Sequence, residues 1–214
     1  MTTEWDERVV AYQTSETHRT GDDLDLLIEL CEGGSGVVAL DVAAGGGHVA
    51  RRLRDLGCDV TTLDRSSAMG PDVVAPAERI PLEDETFDIV ASRIAAHHFE
   101  DVAGAVAEMG RVTRDRIVIQ DMLFRGEQVE EAEKLRDRTH VRSYSQDEWT
   151  SFVEAAGLEV DRVELIEKPL PLDDWLARTG CAGADADRVR SLLAHLTQGD
   201  AWTSTMIMIR GRKQ

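Results

Sequence analysis

The sequence is poor in the residues that stabilise small secreted domains and in those that attract nucleic acid. Its three cysteines, at positions 31, 58 and 181, are odd in number and widely spaced, which fits neither a disulfide framework nor a CxxC metal site. Lysine is rare, and 41 acidic residues outnumber 24 basic ones, for a net charge of −17. Such a surface repels nucleic acid and anionic lipid, so we expect neither as a partner.

Long apolar runs are also missing, and the N-terminal stretch MTTEWDERVV does not have the pattern of a signal peptide. Together with the odd number of cysteines, this predicts a cytoplasmic protein. The composition, 42% hydrophobic and 30% charged, is typical of a folded domain. We expect one domain over residues 1–214, with an N-terminal helical lid segment (1–35), a cofactor-binding core (36–123) and a substrate-side and C-terminal part (124–214).

The most informative motif is VVALDVAAGGGHVA, residues 37–50. A short apolar run ends at Asp41, glycines follow, and a helix-like segment comes next, which predicts a buried strand, a tight turn and a helix start. Glycines let a ligand lie against the backbone, and the first N–H groups of the helix favour an anion. Asp41 can pair with a cation. A pocket that recognises both charges suits a zwitterion, such as the amino-acid end of S-adenosylmethionine.

The same residues fit a second cofactor. Gly45-x-Gly47-x-x-Ala50 matches the dinucleotide fingerprint, and Asp64 lies near the position expected for a ribose-binding acid. Asp41 favours the methyl donor, because a pyrophosphate gains nothing from a negative charge there. An ordinary strand-to-helix turn also matches the pattern, so at this point all three interpretations stay open.

Apolar runs alternate with helical patterns along the chain, which predicts an α/β fold with a mostly parallel sheet and helices on both faces. Strands are expected at 37–41, 59–63, 73–75, 86–91, 116–120, 160–166 and 203–209, the last two pairing antiparallel at one edge. Only eight residues separate Asp64 from Val73. This shortened crossover has no room for a helix, so we expect the third strand to be a poor edge strand or absent.

Polar side chains follow several of these strands, at the sheet edge where open α/β sheets bind ligands. Asp64 could accept hydrogen bonds from both ribose hydroxyls, and Met69 could pack on an adenine. A helix N-cap and a core side chain are the alternatives for these two residues.

His97 and His98 follow the fourth strand. Being adjacent they share no helix face, so we do not expect both to bind a metal; either is a candidate proton acceptor. The alternative is that one orients the backbone and the other is half exposed. The polar loop 136–144 contributes His140 and Tyr144 as further candidate bases and is either a substrate-contacting loop or a solvated one.

The segments LDVAAGGGHVA, LDRSSAM, AERIPLEDETFDIVASRIAAHHF and RDRTHVRSYSQDEW together resemble class I S-adenosylmethionine-dependent methyltransferases. They are most similar to the small-molecule group related to ubiquinone and menaquinone biosynthesis. The resemblance implies a seven-stranded Rossmann-like sheet with a reversed last strand and a lid that includes Tyr12 and His18. It places the following residues at the donor: Asp41, Ala43, Gly45, Gly47, Asp64, Arg65, Met69, Ala77, Glu78, Ser92 and Arg93.

One stretch departs from the pattern of that group. Its members usually carry Gly-Asp-Ala before the acid that matches Glu78, and the aspartate contacts adenine, whereas this chain reads Ala75-Pro76-Ala77. Pro76 also removes a backbone donor, so we expect a different adenine wall. The prediction is a cytoplasmic methyltransferase that acts on a small molecule. The rivals are a non-catalytic relative of the fold and a nicotinamide-dependent oxidoreductase. The oligomeric state is open, a homodimer being one expectation.

Overall fold

The structure, a computed structural model, describes residues 20–214. Its strands are Val38–Val42 (β1), Asp59–Asp64 (β2), Val73–Val74 (β3), Phe87–Arg93 (β4), Thr113–Met122 (β5), Glu159–Pro171 (β6), Thr197–Gln198 (β7) and Ala201–Arg212 (β8). Its α-helices are Asp22–Cys31 (α1), His48–Asp55 (α2), Val102–Val112 (α3), Glu127–Arg136 (α4), Gln146–Ala155 (α5), Leu172–Ala177 (α6) and Gly183–Leu193 (α7). Single 3₁₀ turns occur at Ser67–Met69, Ala96–His98 and Ala194–Leu196.

The strands form one sheet in the order β3-β2-β1-β4-β5-β8-β6, and the two-residue β7 pairs with β8. Strands β1 to β5 run parallel, whereas β8 lies antiparallel between β5 and β6. The predicted α/β fold with a reversed last strand is confirmed. Strand order reverses between β1 and β4, and this is the point where open parallel sheets form a ligand crevice beyond their carboxyl ends.

The central strands are buried on both faces, which explains their nearly continuous apolar sequence. Along β1, Leu40 and Val42 point into a core layer that includes residues of α3 and α5. Ala39, between them, points to the opposite layer, which includes residues of α1 and α2. The alternation of side chains along one strand therefore places helices on both sides of the sheet, as predicted.

The crossover from β2 to β3 is a single 3₁₀ turn, as the short spacing predicts. Asp72 holds the turn against β2, because its Oδ2 accepts hydrogen bonds from the backbone N–H of Thr62 (2.8 Å) and from its hydroxyl (2.7 Å). Strand β3 pairs with β2 through two residues only and lies at the edge of the sheet. The expectation of a poor edge strand is confirmed.

The last two long strands extend well past their predicted ends. They pair from Glu159 opposite Arg212 to Pro171 opposite Ala201. The far end of this hairpin carries a third core layer, in which the rings of Trp175 and Trp202 lie 4.6 Å apart. The prolines of β6 are tolerated because β6 is an edge strand. Within residues 20–214, none of the helices combines the length and the apolar character needed to cross a bilayer.

Candidate active site

A cavity of about 770 Å³, counting the space open to solvent, lies beyond the carboxyl ends of β1, β2 and β4. Its wall consists of Asp41, Ala43, Ala44, Gly45, Gly46, His48, Val49, Asp64, Arg65, Met69, Arg93, Ile94, Ala95, His98 and Phe99. The two predicted strand-end acids thus face one common cavity.

The glycine-rich turn after β1 has a backbone that few side chains permit. Gly45 and Gly47 have φ angles of +49° and +69°, and Ala43 has +56°. Glycine adopts this left-handed region without a steric penalty, which is the reason for glycine at the two positions. Ile94, on the opposite wall, has φ +53° although it is β-branched. Such strained residues cost about 1–3 kcal/mol each and cluster at functional sites.

Asp41 ends up almost fully buried, at 2% exposure, beneath this turn. Its Oδ2 accepts a hydrogen bond from the backbone N–H of Ala50 at 3.0 Å, in the first turn of α2. Burial raises the pKa of Asp41 to about 7, the charge of Asp64 adds to the effect, and the N–H of Ala50 opposes it. The carboxyl group lines the cavity and therefore gains or loses its proton near neutral pH.

Asp64 connects the end of β2 to the same turn. Its Oδ2 accepts the N–H of Gly45 and its Oδ1 accepts the N–H of Ser66, both at 2.9 Å. Each carboxylate oxygen has a further lone pair, so hydroxyl groups of a ligand can still donate to Asp64. Asp64 thus orders the turn and lines the cavity at once.

The guanidinium of Arg93, at the end of β4, belongs to a buried polar cluster that sequence patterns did not indicate. Its Nη2 lies 2.5 Å from Oδ2 of Asp23, and its Nε donates to Oε1 of Gln120 at 2.9 Å. Asp23 also accepts from Lys168 Nζ at 2.8 Å and from Gln120 Nε2 at 3.0 Å. Against the effect of burial, the charge of Arg93 and these hydrogen bonds hold the pKa of Asp23 at about 2. This cluster fastens α1 to the sheet beside the cavity.

Four of the predicted donor residues lie off the cavity wall. Ala77 is part of the core, and Oε1 of Glu78 accepts the backbone N–H of Glu100 at 3.0 Å. Gly47 shapes the turn, and Ser92 is buried at 1% exposure without a hydrogen-bond partner for its hydroxyl among residues 20–214. Arg65, Met69 and Phe99 do line the cavity. Tyr12 and His18, the predicted lid residues, lie outside the described residues.

The histidines that follow β4 differ in their surroundings. His98 lines the cavity, whereas His97 lies behind it, with Nδ1 at 2.6 Å from Oδ1 of Asp121. The backbone N–H of His97 donates to Oδ2 of the same carboxylate at 2.5 Å. Asp121, near the end of β5, was missed in the sequence, because its pairing with a residue 24 positions away follows from the β4–β5 register.

The two candidates from the polar loop are held away from the cavity wall. His140 Nε2 lies 3.3 Å from Oε1 of Glu130. Burial raises the pKa of Glu130, but the interaction with His140 outweighs this effect and holds the pKa at about 2. Tyr144 packs edge-on against Phe152, with ring centroids 5.3 Å apart. Burial raises the pKa of Tyr144, which makes its hydroxyl a poor base near neutral pH. Over the described part of the chain, no group of three or more metal-binding side chains is suitably arranged for a metal ion.

Comparisons with known proteins decide between the interpretations of the glycine turn. The family described as "Methyltransferase domain" matches residues 40–116. The uncharacterized methyltransferase YcgJ of Bacillus subtilis (strain 168) is 30% identical over 208 residues, covering 86% of this chain and 81% of YcgJ. The chain belongs to the methyltransferase family. Its relatives place it among the class I S-adenosylmethionine-dependent methyltransferases of small-molecule type, and no finding favours an oxidoreductase or a non-catalytic relative.

Solved structures of this family agree with the fold. The crystal structure of YcgJ superposes with a TM-score of 0.80 and 27% identity over 89% of this chain and 97% of YcgJ. The BH2331 protein of Bacillus halodurans C-125 gives a TM-score of 0.75 and 26% identity, over 90% of this chain and 99% of that chain.

A further sequence relative matches over a shorter stretch. The malonyl-[acyl-carrier protein] O-methyltransferase of Yersinia pestis is 33% identical over only 98 residues, which cover 41% of this chain and 37% of that protein.

Proposed function

We propose that this methyltransferase binds S-adenosylmethionine in the cavity beyond β1, β2 and β4 and transfers its methyl group to a small molecule. The observation that supports this most strongly is that Asp41 and Asp64 flank the glycine turn and open onto one cavity. A strained turn between two carboxylates suits a ligand with an ammonium group at one end and a ribose diol at the other.

The residues of the wall suggest a position for each part of the donor. The methionine part lies along the turn that includes Gly45, with its ammonium group toward Asp41, and the ribose hydroxyls donate to Asp64. The base then extends past Asp64 toward Met69 and Phe99, which offer apolar surface. Because Pro76 stands where the related group carries its aspartate, apolar contact with Met69 and Phe99 replaces the hydrogen bond to the base.

The donor, when bound, supplies a methyl group already activated by a sulfonium. The protein's task is therefore mainly to align an acceptor with that methyl group and to keep water away. The match to the malonyl-[acyl-carrier protein] O-methyltransferase covers only 37% of that enzyme. We therefore do not infer the same substrate for this chain.

The proposal is tested by calorimetry with S-adenosylmethionine, S-adenosylhomocysteine and NAD as separate ligands. We expect binding of the first two and a loss of about tenfold or more in Asp64→Ala, because a charge-assisted hydrogen bond to the ribose disappears. Asp59→Ala is the matched control, since it removes an exposed carboxylate from the other end of the same strand. No binding of either sulfur nucleoside at millimolar concentration, or tight binding of NAD alone, would contradict the proposal.

A further inference from the structure

A permanent positive charge lies in the wall of the proposed donor cavity. Arg93, the last residue of β4, lines the cavity with a side chain that is 4% exposed. Arginine stays protonated at every pH at which proteins function. S-adenosylmethionine brings a second fixed positive charge, its sulfonium, into the same cavity. Because like charges repel each other strongly in a partly buried site, binding of this donor requires that the charge of Arg93 be offset.

Asp23, in the first turn of α1, places a negative charge next to this guanidinium. Its Oδ2 lies 2.5 Å from Nη2 of Arg93, and its Oδ1 accepts a hydrogen bond from Nζ of Lys168 at 2.8 Å. Burial raises the pKa of Asp23, but the charge of Arg93 and the hydrogen bonds outweigh this effect and hold the pKa at about 2. The dipole of α1 also favours an anion at this end of the helix. Asp23 therefore keeps its negative charge at neutral pH.

Gln120, on β5, fixes the geometry of this pair. Its Oε1 accepts a hydrogen bond from Nε of Arg93 at 2.9 Å, and its Nε2 donates to Oδ2 of Asp23 at 3.0 Å. The amide bridges the two charged groups in one orientation only, because its oxygen must face the guanidinium and its nitrogen the carboxylate. The position of the guanidinium in the cavity wall is therefore defined by α1 and β5 as well as by β4.

The charge of Arg93 acts on other groups of the same cavity. Asp41 and Arg93 both line it, from the neighbouring strands β1 and β4. Burial raises the pKa of Asp41, and the charge of Arg93 is one of the effects that lower it. A change in the net charge around Arg93 therefore alters the electrostatic potential at the place where the donor is proposed to bind.

We propose that Asp23 is a positioning residue for the methyl donor: it holds Arg93 in the cavity wall and offsets its charge, so that the cavity accepts a sulfonium. Lys168 has the opposite effect, because its ammonium group adds positive charge beside the same carboxylate. These residues together set how the protein discriminates between the cationic donor and S-adenosylhomocysteine, which is neutral at sulfur. The inference rests on the proposed function and deepens it.

The test is the ratio of the Kd of S-adenosylmethionine to that of S-adenosylhomocysteine, measured by calorimetry on the full chain at pH 8. The two ligands share their amino-acid and nucleoside parts, so a variant that changes the ratio has changed the potential at sulfur. In Asp23→Asn the ratio should rise about tenfold, the order expected for one unit charge at about 10 Å in a partly buried site. In Lys168→Met the ratio should fall, by a smaller factor because that side chain is 23% exposed and screened by solvent.

Asp25→Asn is the matched control, because this acid lies on the same helix but is 59% exposed and pairs with Arg52. Its ratio should equal that of the wild type. An unchanged ratio in Asp23→Asn, or an equal loss of affinity for both ligands, would mean that Asp23 only fastens α1 and would overturn the inference. If circular dichroism shows that Asp23→Asn is unfolded, Lys168→Met decides alone, and a ratio that does not fall overturns the inference. A wild-type protein that binds neither ligand would overturn the proposed function instead.

Discussion

The ionisation of Asp41 is strongly altered by its surroundings. Its carboxyl group is buried, and burial raises its pKa to about 7. The ammonium group of the proposed donor prefers the ionised form. Below pH 7, Asp41 must therefore lose a proton before it can pair with the ligand, and donor binding is linked to proton release.

This linkage predicts how donor affinity depends on pH. Because one proton leaves for each ligand bound, the Kd of S-adenosylhomocysteine should rise by up to about tenfold per unit as the pH falls from 7 to 5. Above pH 8 it should be nearly constant in this respect. Calorimetry over this range provides the measurement, with Asp41→Asn as the comparison, since that variant has no proton to release. A wild-type Kd that does not change between pH 5 and 7 would contradict the role given to Asp41.

The residue scale also shows the limit of sequence reasoning. Asp41 and Asp64 could be found because each directly follows an apolar run and the two runs belong to neighbouring strands. The pairs Arg93–Asp23 and His97–Asp121 span 70 and 24 residues, and no local pattern marks them. They arise from the packing of α1 and from the register of β4 and β5, which the sequence does not display.

At the scale of elements, the end of a strand could be predicted where nearby residues in the sequence stop it. The glycine turn ends β1, and the short spacing to Val73 limits the β2–β3 crossover to a turn. Strands β6 and β8 exceed their predicted bounds because each is extended by pairing with the other along the whole hairpin. Their length is a non-local property, so hydrophobic periodicity in either segment underestimated it.

The packing of β8 against α5 depends on a glycine. A Cβ at Gly211 would lie 2.4 Å from Cγ1 of Val153 and 3.2 Å from Cβ of Leu158. We expect Gly211→Ala to lower the free energy of unfolding by about 1–3 kcal/mol, the usual cost of overpacking a core. Urea denaturation gives the measurement.

Gly34→Ala is the matched control, because a Cβ there meets no atom within 4 Å. If both substitutions change stability equally, close packing of β8 on α5 is not the reason for glycine at position 211.

For the whole molecule, the dominant feature is the net charge of −17. Mutual repulsion of this kind destabilises a compact state and is screened by salt. We expect the thermal midpoint to rise as NaCl is increased from 20 to 300 mM and then to level off, as followed by circular dichroism. A variant with two exposed acids neutralised, Asp55→Asn and Glu154→Gln, should gain less from the same salt. A midpoint that falls with salt would mean that attractive ion pairs outweigh the repulsion.

The two ends of the sheet also bear on self-association. At one end β3 offers only two residues, and at the other β6 carries Pro169 and Pro171 together with charged side chains such as Arg162 and Glu164. Short edges, prolines and charges all hinder strand addition from a neighbouring molecule. The homodimer expected from the sequence stays a prediction. We expect two copies that associate through the described part of the chain to do so without joining their sheets into one.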